Sequence, residues 1–377
     1  DLPVRVFHWL LAGSFLAAFL VRGDARYLDV HVFAGYLFGG LIVFRLLWGF
    51  VGSRFARFRD FVHGWATVKA YLAELRQGRV RHYAGHNPAG GWAIVLMLVL
   101  GAAVVVTGLV TLGGEEGHGP LAGMLSIAAG AEVHEVHEWL SWAMLAVVAI
   151  HVIAVLAESL AQRVNLIGAM ISGTKRAVAG AGVPAYRLTG LAVGVAAVWL
   201  GVWSFHGYWT ATPDKPYHPF VAKALPSSQL WADECGACHL PYHPALLPQR
   251  SWERMLANQA DHFGEDLFLA PDTVTALADF ARRYAAEAQM TEASYYVTST
   301  TPVTEAPQRI TETAYWRREH GDVPERYWQD NPVVAGRFDC AACHADAEAG
   351  TFEDGAMRLP PLPETPERAR MAMAPSP

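Results

Sequence analysis

The sequence predicts an all-α protein in two parts: a bundle of apolar helices long enough to cross a membrane, then a polar, mostly helical domain. Two observations predict it. The first is the distribution of charge. Of 377 residues, 53% are hydrophobic and 17% charged, against about 25% charge in an ordinary soluble domain. Residues 1–206 carry a net +4 and residues 207–377 a net −10, giving −6 for the chain. The second observation is five apolar runs, Val6–Val21, Val30–Val51, Trp92–Leu112, Trp139–Ala157 and Leu188–Phe205. A helix crosses the hydrocarbon core with about 20 apolar residues, within a range of about 17–25. The runs are too long and too rich in Leu, Ala and Gly to be strands. A single globular domain and a disordered chain are excluded. The acidic second half leaves no basic footprint for nucleic acid.

The first run spans a bilayer only if its flanks contribute. It lacks a small-residue cleavage motif and carries His8, so it is not read as a signal peptide. The chain starts at Asp1 rather than Met, and upstream residues are expected. Loop charge sets the orientation. The loop after the second run holds Arg54, Arg57, Arg59, Lys69, Arg76, Arg79 and Arg81, and the loop after the fourth holds Arg163, Lys175, Arg176 and Arg187. The loop after the third has no Lys or Arg but has Glu115, Glu116 and Glu132; the loop after the first balances Arg22 and Arg26 with Asp24 and Asp29. These charges predict a cytoplasmic N-terminus and an exported second half, periplasmic in a bacterial inner membrane. In that second half Leu246–Asn258 and Thr273–Gln289 have helical periodicity, the latter opening on Pro271-Asp272-Thr273. Thr298–Pro307 reads as a linker, and Leu359–Pro377, with six prolines, as a disordered or docking tail. The expected domains are residues 1–180, a fifth span at 181–206, an outer domain at 207–358 and the tail at 359–377.

All four cysteines fall in two copies of one motif, Cys235-Gly-Ala-Cys238-His239 and Cys340-Ala-Ala-Cys343-His344. A disulfide framework would not place a histidine after each pair. Each thiol can form a thioether to a heme vinyl group while the adjacent histidine, His239 or His344, supplies an iron ligand. A lone motif is also compatible with a zinc knuckle or a redox pair; two copies with no spare cysteine favour two covalent hemes c. For a sixth ligand the second half offers His206, His218, His243, His262 and His320, besides Met255, Met290, Met357, Met371 and Met373. Spacing alone does not choose among them.

Histidine inside a bilayer marks a functional site by default. His8 lies near the start of the first run, His31 near the start of the second, His137 at the start of the fourth and His151 within it. At about 100° and about 1.5 Å per residue, His137 and His151 share a face to within about 40° and stand about 21 Å apart. Depth then pairs His8 with His151 on the inner side and His31 with His137 on the outer side, predicting two bis-histidine hemes b. A proton relay or a capping role would also place histidines here; pairing by depth favours heme. Gly35, Gly39 and Gly40 offer either room for a porphyrin face or close helix packing. Arg5 and Arg45 are candidates for heme propionates, with snorkelling an equal reading for Arg45.

These residues resemble two known families. Arg5-Val-Phe-His8-Trp9, His31-Val-Phe-Ala-Gly35, Arg45-Leu-Leu-Trp48, and His137 with His151 are similar to the prokaryotic cytochrome b561 family, over about residues 1–180. That family also looks like the b-heme subunits of nickel–iron hydrogenases and formate dehydrogenase. The resemblance implies four helices holding two hemes b that exchange electrons with quinone, with His8, His31, His137 and His151 as ligands. Leu247-Pro-Gln-Arg-Ser-Trp252, Ala260-Asp-His-Phe-Gly-Glu265, Arg309-Ile-Thr-Glu-Thr313 with His320, and the two heme motifs resemble a DHC-type diheme cytochrome c. That resemblance implies His262 and His320 as distal ligands, His262 with the first heme and His320 with the second by order along the chain. It leaves His243 without a role. It also implies a small periplasmic heme protein or cytochrome as partner.

The expected function is membrane-bound electron transfer by four hemes, two b and two c, between the quinone pool and a periplasmic partner. If it is an enzyme, it is a quinol:cytochrome c-type oxidoreductase. Three alternatives remain at this point. One is an electron-transfer or anchoring subunit of a larger respiratory, hydrogenase-type or photosynthetic complex. Another is an open-heme enzyme acting on superoxide, oxygen or a nitrogen oxide. The third is a sensing module whose hemes do not turn over.

Overall fold

The computed structural model describes residues 1–78, 83, 85–175, 182–212, 220–329 and 331–362. Arg79, Arg81, Arg176, His218, Met371, Met373 and most of the proline-rich tail lie outside the described residues. Among the described residues the regular structure is helical, with isolated bridges at His262–Glu265 and His344–Met357. Contacts divide the chain into two units. The first holds Asp1–Leu112, Gly119–Leu121 and Ala129–Tyr217; the second holds Gly113–His118, Ala122–Ala128 and the residues from His218 onward.

Five helices, α1 (Leu2–Val21), α2 (Leu28–Val51), α3 (Pro88–Gly114), α4 (Ile127–Gln162) and α5 (Arg187–Ser204), are each long and apolar enough to cross a membrane. α1 gains the length its apolar run lacked because Asp1 caps it, accepting the Val4 N–H at 3.0 Å, with proline in the first turn. α4 corrects an expectation. His137 does not open this helix but sits inside it, because the Ala- and Glu-containing stretch from Ile127 has the propensity to stay helical beyond the apolar run.

Phe38 and Ile42 of α2, Leu98 of α3 and Met144 of α4 form a buried cluster, with Leu11 and Phe15 of α1 packed against it. α5 approaches through small residues: a Cβ at Gly190 would meet Leu2 at 2.7 Å, one at Gly194 would meet Val6 at 3.9 Å and one at Gly201 would meet Phe33 at 3.5 Å. These glycines share one helix face, so the backbone of α5 can lie close to its neighbours.

The second unit contains α6 (Gln229–Cys235), α7 (Gln249–Ala257), α8 (Pro271–Tyr284), α9 (Glu292–Thr300) and α10 (Ala314–His320). Its core is Trp231, Leu247, Trp252, Leu256, Leu277, Ala281 and Ala285. The prolines set the boundaries. Pro244–Leu246 makes a separate 3-10 turn and α7 starts only after Pro248, three residues later than periodicity implied. α8 stops at Tyr284, and the chain continues into a 3-10 turn that Gln289 closes at φ 47°. The expected linker from Thr298 is partly wrong, because α9 runs to Thr300. It is held at its start by a reciprocal cap between Thr291 and Ser294, both buried.

Candidate heme-binding sites

In the outer unit the first Cys-x-x-Cys-His motif begins on the last residue of α6. Ser228 caps that helix, and Gly236 brings its backbone against Ala232, whose carbonyl oxygen a Cβ would meet at 2.2 Å. The Trp231 indole donates to the Tyr242 carbonyl at 3.1 Å and the Trp252 indole to the Pro244 carbonyl at 2.8 Å, which pins the chain leaving the motif. The second motif folds instead as a 3-10 turn, Cys340–Ala342, closed by His344 N–H to the Cys340 carbonyl at 2.8 Å.

The structure brings His239 together with His262, ring centres 6.3 Å apart at 28°, and His320 with His344, 6.1 Å apart at 54°. An imidazole–metal bond is about 2.0–2.1 Å. With about 1 Å more from nitrogen to ring centre on each side, two rings sharing one ion have centres about 6 Å apart. His239 Nδ1 contacts the Leu240 carbonyl at 2.7 Å and His320 Nδ1 the Trp316 carbonyl at 3.0 Å. A carbonyl only accepts, so each Nδ1 carries the proton and each Nε2 keeps a lone pair for a ligand. His262 Nδ1 and His344 Nδ1 are buried with no hydrogen-bond partner. Burial lowers the pKa of His262 and His320 and pushes His344 down to about 4, favouring the neutral, ligating form. Burial also pushes Cys235 up to about 12 and Cys340 up to about 11, and raises Cys343. Metal thiolates need the opposite shift. The four cysteines, Cys238 included, form no disulfide.

His243 is built differently. Its Nδ1 accepts the Ala245 N–H at 3.1 Å, which obliges Nε2 to donate to the Pro226 carbonyl at 3.0 Å. Both nitrogens are occupied by backbone, so this histidine braces the fold. Two further residues escaped the sequence reading. Trp316 stacks on His320 at 4.4 Å and 8°. Tyr242 stacks on His239 at 5.2 Å and 29°, while its hydroxyl donates to the Phe338 carbonyl, two residues before Cys340. Their position four residues from one histidine and three from the other was the signal available.

In the membrane unit His31 and His137 face each other with ring centres 6.1 Å apart at 75°. His31 Nδ1–H donates to the Ala18 carbonyl of α1 at 3.0 Å, and His137 Nδ1–H to the Val104 carbonyl of α3 at 3.0 Å with Thr107 Oγ1 at 3.1 Å. Gly108 makes room for this ring, since its Cβ would stand 3.0 Å from His137. His8 and His151 are electrostatic neighbours, and His8 Nδ1 is buried with no hydrogen-bond partner. The three glycines of α2 divide: Gly39 packs on Val105, whereas a Cβ at Gly35 or Gly40 would meet nothing within 4 Å. Arg5 donates to the Ile171 carbonyl. Arg45 does not snorkel; it is 3% exposed, lies over Phe58 and Phe61, and leaves one guanidinium nitrogen unbonded.

The donor sets in both units therefore fit heme: paired imidazoles, with thiols beside two of them. This defines a multi-pass membrane protein of electron transport. Residues 1–173 belong to the prokaryotic cytochrome b561 family, and residues 231–352 to the dihaem cytochrome c family. The chain is thus a cytochrome b561 membrane domain fused to a diheme cytochrome c. It is 29% identical over 205 residues to a probable Ni/Fe-hydrogenase B-type cytochrome subunit of Azotobacter chroococcum, covering 46% of this chain and 85% of that relative. It is 27% identical over 135 residues to the probable Ni/Fe-hydrogenase 1 B-type cytochrome subunit of Escherichia coli, covering 29% of this chain. The match spans 57%, little more than half, of that relative's length. Among solved structures, the diheme cytochrome type c of Shewanella baltica is 31% identical, covering 37% of this chain and 97% of that one, with a TM-score of 0.30. The diheme cytochrome c of Rhodobacter sphaeroides is also 31% identical, covering 34% and 100%, with a TM-score of 0.31.

Proposed function

We propose that this protein carries electrons between the quinone pool and a periplasmic heme protein through two hemes b and two hemes c. The observation that carries the reading is the pairing of histidine rings at 6.1–6.3 Å in both units, most with Nδ1 tied to a carbonyl. Heme supplies reversible one-electron chemistry when bound. The residues do the holding. His8 with His151 and His31 with His137 are the proposed ligands in residues 1–180. His239 with His262 and His320 with His344 serve residues 207–358, where Cys235, Cys238, Cys340 and Cys343 add thioethers. The Nδ1–H bonds fix ring orientation and tautomer, which would leave Nε2 as the atom to hold the iron. The apolar helices exclude water from the inner pairs. The segment 181–206, which holds α5 (Arg187–Ser204), tethers the two halves at high effective concentration. Loop charge puts the N-terminus in the cytoplasm and the outer domain in the periplasm.

A second reading draws on the relatives, which are hydrogenase B-type cytochrome subunits: the chain serves as the electron-transfer subunit of a larger redox complex. One experiment addresses both. The purified chain in lipid is mixed with quinol and the four hemes are followed, with a pyridine hemochrome assay for their ratio. Reduction of all four, at two b to two c, is expected. Absence of b heme rejects the membrane half of the proposal, and reduction only when a dehydrogenase is added favours the subunit reading.

A further inference from the structure

Tyr242 lies within the second unit and is tied to both of its Cys-x-x-Cys-His motifs. Its backbone is anchored at the first motif. The Leu240 carbonyl accepts His239 Nδ1–H at 2.7 Å and also the Tyr242 N–H at 2.8 Å. A carbonyl oxygen has two lone pairs, so it can serve both donors. The Tyr242 carbonyl accepts the Trp231 indole at 3.1 Å, which fixes the residue on its other side. Its ring lies on the His239 ring, centres 5.2 Å apart at 29°, and packs against the core that holds Trp231 and Leu247.

The Tyr242 hydroxyl ends at the second motif. It donates to the Phe338 carbonyl, 96 positions away along the chain. That same carbonyl accepts the Cys340 N–H at 3.0 Å. Asp339, between them, accepts the Ala335 N–H at 3.0 Å on its side chain and the Ala342 N–H at 3.2 Å on its backbone. The turn entering Cys340–Ala342 is therefore built around the atom that Tyr242 holds. The connection runs unbroken from the His239 ring through the Leu240 carbonyl, Tyr242 and the Phe338 carbonyl to Cys340. Packing alone does not call for the hydroxyl, because a phenylalanine would fill the same space and stack on the same ring. Trp316 gives the contrast: it stacks on His320, and its far side meets Trp328 rather than the first motif.

We propose that Tyr242 is a positioning residue that joins the two ligand sets of the second unit, its ring fixing the plane of His239 and its hydroxyl fixing the turn that carries Cys340. The proposal rests on the heme-ligand reading above. Groups behind a ligand set its orientation and so tune the iron it holds. A residue that turns His239 acts on the first iron, and one that holds Cys340 acts on the attachment of the second heme. No bond, proton or electron changes hands at Tyr242.

The test uses the full chain in lipid with its hemes bound. His262→Ala and His320→Ala each remove one low-spin signal from the electron paramagnetic resonance spectrum, which assigns the first and second c signals. Hydrogen–deuterium exchange reads the hydroxyl. Tyr242→Phe should raise exchange over residues 338–344 by about threefold or more, while the first c signal keeps its position. Tyr242→Met, which removes the ring as well, should also shift or abolish the first c signal with the second heme retained; Tyr242→Leu serves if Tyr242→Met does not fold. Unchanged exchange in Tyr242→Phe overturns the link, whether or not the second variant folds. A first c signal that stays in place without the ring overturns the hold on His239, and the joining role with it. If the unaltered chain shows neither c signal, the ligand reading fails, and exchange in Tyr242→Phe still decides the hydroxyl's hold on the turn. Failure of quinol to reduce the hemes rejects the electron-transfer reading and leaves both readouts standing.

Discussion

The two halves of this protein orient their histidines in opposite ways. In the membrane unit each ring of the His31–His137 pair is aimed by another helix: His31 on α2 by a carbonyl of α1, and His137 on α4 by a carbonyl of α3. In the second unit one ring of each pair is aimed by its own neighbour, His239 by Leu240 and His320 by Trp316, while His262 Nδ1 and His344 Nδ1 have no hydrogen-bond partner. A ligand set aimed between helices exists only once the bundle has packed. In the second unit His239 and His344, each one residue from a cysteine, are placed locally, but their partners His262 and His320, more than twenty positions away, arrive only with the tertiary fold.

The largest expected effect breaks this comparison directly. His137→Ala should remove one heme b entirely and leave both hemes c, because nothing covalent holds a group in the membrane unit. His320→Ala should leave its heme attached through Cys340 and Cys343 but turn the iron high-spin. Heme-stained denaturing gels and visible spectra read both outcomes. Loss of the second c heme in His320→Ala would show that the outer unit depends on tertiary contacts as much as the inner one.

The next effect is on stability and pH. Burial first, with Asp354 and Glu115 adding, pushes the Glu116 and Glu292 carboxyls well above the ordinary range. The folded chain therefore keeps protons that the unfolded chain releases above about pH 4.3. Stability is full below that value and falls as pH rises toward the raised folded values, by up to about 1.4 kcal/mol per group per pH unit. The lowered histidines His243, His262, His320 and His344 act in the opposite sense up to about pH 6.5, so the glutamates are read above them: the unfolding midpoint of the second unit should fall between pH 7 and pH 8. A midpoint that rises over this interval would contradict the burial of these carboxyls.

Two smaller effects sharpen the distinction between bracing and ligation. His243→Ala leaves two backbone partners unpaired, and should destabilise the outer domain by about 1–3 kcal/mol in denaturant titration while both hemes c keep their spectra. A spectral change would make His243 a ligand after all. Thr107→Val removes the hydroxyl beside His137 Nδ1 but leaves the Val104 carbonyl, so heme b should bind about tenfold more weakly, the low end for outer-shell changes. An unchanged heme titration would show the carbonyl to be sufficient.

Much of this was legible in the sequence because the governing interactions are short-range. Five apolar runs became five helices with shifts of a few residues at most ends, since capping and propensity extend a helix past its apolar stretch. The exception was the start of α4, where Ala and Glu keep the helix going ahead of His137. Arg45 escaped prediction because its burial depends on Phe58 and Phe61, which a later segment brings over it. His243 could not be told from a ligand by spacing, since what distinguishes it is the carbonyl of Pro226, seventeen residues away.

By itself the sequence determined the helical class, the division into an apolar and an acidic half, and the two Cys-x-x-Cys-His motifs. Each is set by composition, periodicity or neighbours along the chain. Only the tertiary structure decided how the paired rings are turned, which nitrogen a backbone carbonyl engages, and that Gly113–His118, a loop between spans, is part of the second unit. A hydrogen bond fixes atoms to within a few tenths of an ångström, and partners brought together from distant positions become visible only when the fold has closed.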